Sequence, residues 1–141
     1  MRGCLIISGI ILVICILLMA RCGYSFYHMG TTELPVADAT VRKFVDLYNK
    51  DDYTDIYAMC DSDWITSIPL DKTTTNLQSL KRMTGKVTIV ERTGFFINQV
   101  NAQSYMRLTY RCAGDHGDTQ LSVVLHQQDA WKIHDVNFNL K

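Results

Sequence analysis

The chain has 141 residues, enough for one domain of ordinary size beside a short N-terminal segment, and its 14 Lys and Arg balance its 14 Asp and Glu. Without a net positive field, the composition argues against nucleic acid or another polyanion as partner. No internal repeat, low-complexity tract or glycosylation sequon breaks the sequence.

From Cys4 to Ala20 no charged residue occurs, and Arg2 and Arg21 bracket the run. Its length is at the short end of the roughly 17–25 apolar residues that span a bilayer as a helix. An uncleaved anchor is the first reading of residues 1–22. A lipoprotein signal is the second: Met19-Ala20-Arg21-Cys22 supplies the cysteine but sets Arg21 where a small residue belongs. A cleaved signal peptide is the third, because Leu18-Met19-Ala20 lacks the small residue two before Ala20. Cys4 and Cys15 would lie in the membrane as small hydrophobes. The amino terminus and Arg2 outweigh Arg21, which places the N-terminus inside and the domain outside. The expectation is a single-pass protein of the cell membrane with an extracytoplasmic, periplasmic domain. Residues 23–33 form a linker whose Tyr24, Phe26 and Tyr27 suit the headgroup layer.

The domain proper covers residues 34–141. Pro35 fits a first helical turn with Thr32 as candidate cap, and Ala37, Val41, Phe44, Val45 and Tyr48 recur at helical spacing up to Asn49-Lys50. Asp52 can cap a second helix with Tyr53, Ile56, Tyr57 and Cys60 on its buried face. Trp64, Ile65 and Ile68 then fall in a loop closed by Pro69, and a third helix runs from Thr73 to Thr84 with Leu77 and Leu80 inward. Gly85 stops it.

Four strands follow. Lys86 to Val100 reads as a long one, with Gly94 as a bend, and Asn98 to Gln103 turns the chain into Met106–Cys112. There Met106, Leu108, Tyr110 and Cys112 take one face, while Arg107, Thr109 and Arg111 take the other. After the turn residues Ala113 to Asp118, Gln120–Gln127 puts Leu121, Val123 and Leu125 inward and Ser122, Val124 and His126 outward. The last strand changes phase: Trp131 and Ile133 lie in one, Val136, Phe138 and Leu140 in the other. A single extra residue near His134-Asp135, a bulge, would align them.

This order, three helices and then a bent four-stranded antiparallel sheet ending on Trp131-Lys132-Ile133, resembles the cone-shaped α+β fold of the nuclear-transport-factor-2-like (cystatin-like) superfamily. The resemblance extends to bacterial cell-envelope proteins that carry such a domain behind an anchor or lipoprotein signal. Phe44-Val45-Asp46-Leu47-Tyr48 and Leu80 to Gly85 are further counterparts. The fold hosts isomerases, dehydratases, secretion-system subunits and pure binding domains, so the resemblance implies architecture and leaves chemistry open.

Catalytic members of that superfamily place Asp, His and Tyr inside the cone. Here the inferred inner face is apolar apart from Tyr110 and Cys112, and only Asp55, Tyr57 and Asp135 could be assembled into an acid–base site. No cofactor motif occurs. His116, His126, His134 and five scattered cysteines have no metal-ligand spacing, and Asp51-Asp52, Asp61-Ser62-Asp63 and Asp115 to Asp118 read as caps and turns. Cys60 and Cys112 both fall on inward faces, either bridged or as two separate thiols. The outward sheet face sets Arg107, Val124 and His134 side by side, with Tyr105, His126 and Lys132 in the next row and Arg111 beyond. Such a face is either solvated or a docking surface for an acidic partner in an envelope assembly. The sequence thus predicts a non-catalytic, membrane-tethered domain for protein binding or scaffolding. The alternative is a small-molecule-binding or isomerase- or dehydratase-like cone. Oligomeric state is not legible.

Overall fold

The computed structural model describes residues 11–21, 23–24 and 29–140. The chain divides into two compact units, Met1–Val36 and Ala37–Lys141.

In the first unit residues 11–21 are helical (α1), and their large apolar side chains, from Ile11 to Met19, are exposed. Among the described residues no helix is long and apolar enough to cross a membrane. Arg2, Cys4, Cys22, Phe26 and Tyr27, which carry part of the anchor and linker reading, lie outside the described residues. Met29–Glu33 is a π-helical turn that runs directly into α2 (Leu34–Asn49). Thr32 therefore sits within helical backbone and does not cap α2, contrary to the sequence reading.

From Ala37 onward α2 buries the predicted stripe of Ala37, Val41, Phe44, Val45 and Tyr48. Phe44 and Tyr48 stack, and Phe138 lies 5.2 Å from the Tyr48 ring. Helix α3 (Tyr53–Ala58) is capped by Asp52, whose carboxylate accepts the Asp55 N–H at 3.2 Å. The predicted loop around Trp64 is a helix instead, α4 (Ser62–Ser67). Asp61 caps it by accepting the Trp64 N–H at 2.9 Å, and Ile68 leaves it extended, as a residue before proline prefers. Helix α5 (Leu70–Thr84) begins three residues before the predicted start at Thr73. Thr73 is buried and its hydroxyl accepts the Trp64 indole N–H at 3.0 Å, so this β-branched residue has a tertiary partner that offsets its poor helix propensity. Gly85, at φ 69°, ends α5 in left-handed backbone.

The sheet follows as β1 (Val87–Val100), β2 (Gln103–Gly114), β3 (Gly117–Gln127) and β4 (Trp131–Leu140), antiparallel and in sequence order. The turn between β1 and β2 is tighter than predicted. It comprises only Asn101 and Ala102, both at positive φ, and Val100 pairs with Gln103. Register slips flank Val90 and Thr93 in β1. In β4 the predicted bulge is present: Val124 faces Asp135 and Leu125 faces Ile133, leaving His134 as the extra residue. It returns Trp131, Ile133 and Phe138 to the buried face, where Met106, Leu108, Tyr110, Leu121, Val123 and Leu125 also lie. The second unit is thus α+β, with its helices on one face of a four-stranded antiparallel meander.

Asn49 and the Met59–Asp61 segment both couple the helical half to the sheet. The Asn49 amide donates to the Val87 carbonyl at 2.8 Å and accepts the Val87 N–H at 2.9 Å, continuing α2 into β1. Along β4, Ile133 N–H donates to Met59 C=O and Asp61 N–H donates to Ile133 C=O, both at 2.9 Å. Met59–Asp61 is therefore a short parallel strap on the edge of β4, and it delivers Asp61 to the bulge.

Candidate functional site

At that point one carboxylate meets two imidazoles. Asp61 is fully buried, and its Oδ2 accepts the Nδ1–H of His126 at 3.0 Å and of His134 at 2.7 Å. Its Oδ1 accepts the Trp64 N–H. Burial by itself would raise the Asp61 carboxyl, but the Trp64 N–H and the two imidazoles outweigh it and hold the group below its ordinary range. Because an ionised carboxylate only accepts, each ring directs an Nδ1–H at it. The imidazoles are thereby oriented, as are histidines that move protons or hold metals.

His126 comes from β3 and points to the outer face, as its phase requires. It is nevertheless only 2 % exposed, so it is available neither to solvent nor to a docking partner, the two roles expected of that face. The Tyr105 ring stacks on it at 4.5 Å between centroids, and His134 stands edge-on at 6.1 Å. Alternation assigned the face correctly and could not show what covers it.

His134 is half-buried and borders two depressions. One, about 520 Å³, lies on the outer sheet face between Phe96, Asn98, Val100, Tyr105, Arg107, Val124, His134 and Asp135. The other, about 550 Å³, is a cleft between α4, α5 and β4, lined by Asp63, Trp64, Ile68, Leu77, Leu80 and Met83 among others. Both have the size of ordinary ligand pockets.

Of the seven outer-face residues singled out from sequence, Tyr105, Arg107, Val124 and His134 line the first depression together. Tyr105 pairs with His126 and Arg107 with Val124, as expected, but the bulge sets Asp135, not His134, opposite Val124. Lys132 pairs with His126 and is half-buried. Arg111 is separate: its guanidinium donates to Glu91 at 2.9 Å.

No family model and no curated protein matches the sequence. Among solved structures, the chain is similar to a designed protein named Rd1NTF2_05, in a form with five substitutions. The two share 12% identity over 72% of this chain and 98% of the other, with a TM-score of 0.47. So loose a likeness bears on neither family nor function.

The remaining candidates separate. Asp55 is exposed in the first turn of α3, Tyr57 donates its hydroxyl to the carbonyls of Ile65 and Ile68, and Asp135 lies in the bulge. Among the described residues no hydrogen bond joins these three. Cys60 and Cys112 are unbridged buried thiols. Burial pushes them up to about 12 and about 11, which keeps them protonated and unreactive. The Asp61 cluster escaped the sequence reading because its parts are 65 and 73 residues apart. Its only local trace was Asp61 as a cap.

Proposed function

We propose that this chain is a non-catalytic binding or scaffold domain of the nuclear-transport-factor-2-like fold, tethered to the cell membrane by its apolar N-terminal run. The outer sheet face is its recognition surface, and the occupant is an acidic, apolar segment of a neighbouring envelope protein. The observation that carries this reading is the outer depression. Phe96 and Val100 stand 64% and 46% exposed beside Arg107, which has no ion pair among the described residues. Apolar and aromatic side chains around an unpaired guanidinium are what interface centres use, and the guanidinium asks for a carboxylate.

The order of helices and strands supports the fold, and the uncharged stretch from Cys4 to Ala20 supports the tether. Binding is preferred to catalysis because the sheet face under the helices is filled with fully buried apolar side chains. Photo-crosslinking decides the matter. A crosslinker at position 96, in the full-length chain in its own membrane, should capture a defined acidic protein. That capture should be abolished by Arg107→Glu while the melting temperature stays within a few degrees. Undiminished capture in the Arg107→Glu chain, or capture only from a crosslinker on α5, would overturn the proposal.

A further inference from the structure

We propose that Asp61, Asp63, His126 and His134 bind one divalent transition-metal ion of the zinc class. One donor atom from each of the four lies within 4.8 Å of the others. Zinc takes four nitrogen and oxygen ligands at about 2.0–2.2 Å in a tetrahedron, so its donors sit about 3.3–3.6 Å apart. The two separations on Asp61, 3.0 and 2.7 Å, have to open slightly around an ion, and the others, within 4.8 Å, have to close by no more than about 1.5 Å. Two imidazoles favour zinc and its neighbours over calcium or magnesium, which prefer all-oxygen shells.

Charge argues the same way. The Asp61 carboxylate is wholly removed from water, and a buried carboxylate calls for a cation or hydrogen-bond donors around it. A divalent ion between two carboxylates and two neutral imidazoles makes the site neutral. To bind, each ring presents its Nδ1 lone pair to the metal and carries its hydrogen on Nε2.

The fold assembles the ligands with particular devices. The strap on the β4 edge delivers Asp61, and the first turn of α4 brings Asp63 two residues on. The bulge adds His134 to the face that already holds His126. Entry is open, since Asp63 is exposed and both Asp63 and His134 border the cleft between α4, α5 and β4. His134 also borders the outer depression, but the metal site does not rest on the outer-face partner, and either can fail without the other.

The test uses the full-length chain in detergent, stripped with EDTA and titrated calorimetrically with zinc chloride, with cobalt(II) as a spectroscopic substitute. One equivalent should bind and raise the melting temperature, and cobalt should show the visible absorption of a tetrahedral nitrogen–oxygen site. His134→Gln and Asp63→Asn should each weaken zinc at least about tenfold. His116→Gln, in the exposed turn between β2 and β3, should leave binding unchanged. Asp63 is exposed, so Asp63→Asn folds and decides the question if His134→Gln does not. Absence of saturable binding by the wild type would overturn the site, as would wild-type affinity in Asp63→Asn. The cluster would then be a hydrogen-bond network alone.

Discussion

Asp38 gathers partners from three elements. It accepts from Arg42 Nε at 2.7 Å on its own helix, from the Tyr110 hydroxyl at 2.8 Å on β2, and from Arg92 Nη1 at 3.1 Å on β1. Partial burial would raise its carboxyl, but the Arg42 and Tyr110 hydrogen bonds and the two guanidinium charges outweigh that and hold it below 3.8. A carboxyl lowered on folding stabilises the native state above its unfolded value, and this contribution disappears as pH falls through the lower folded value. Asp38→Asn should therefore cost about 1.5–3 kcal/mol at neutral pH, the range for a hydrogen bond to a charged group. The difference in melting temperature between wild type and variant should close as pH falls below 3.8. A gap that stayed constant from pH 7 to pH 3 would show that the carboxylate charge contributes nothing. None of this was visible in sequence: Arg42 four residues on suggests a surface pair, but Tyr110 is 72 positions away.

Among the elements, strands were more legible than short helices. The two-residue period assigned Leu108, Tyr110, Val123 and Leu125 to the buried face, and the change of phase after Ile133 revealed the bulge. Helix α4 was missed because none of its residues is buried and no apolar stripe marks it, whereas α3, equally short, buries Tyr53 and Ile56. Trp131 tests the strand assignment. It is 5% exposed at the start of β4, and truncating a buried tryptophan typically costs ~3–5 kcal/mol. Trp131→Ala should lower stability by that amount in urea unfolding followed by circular dichroism. A loss of less than about 1 kcal/mol would place the indole on the surface, where substitutions rarely cost more.

Across the whole second unit, every strand pairs with its neighbour in sequence, so hairpins that close locally can build the sheet in order. The strap is the exception, since it brings Met59–Asp61 to residues more than 70 positions downstream. Closing that loop carries a conformational cost that no single hairpin does, and two backbone hydrogen bonds with the two Asp61–histidine bonds offset only part of it. The strap should then form last and open first, as a local event below the global unfolding threshold. Hydrogen exchange would reveal it: the amides of Asp61 and Ile133 should exchange well before those of Leu121 and Val123 in the middle of β3. Equal protection throughout would mean that the strap opens only with the entire sheet. Because the strap also carries the one carboxylate shared by both histidines, its opening sets a clock for the site. The residence time of anything held by Asp61 would follow the rate at which this edge detaches, and a substitution that slowed detachment would lengthen it without touching a ligand.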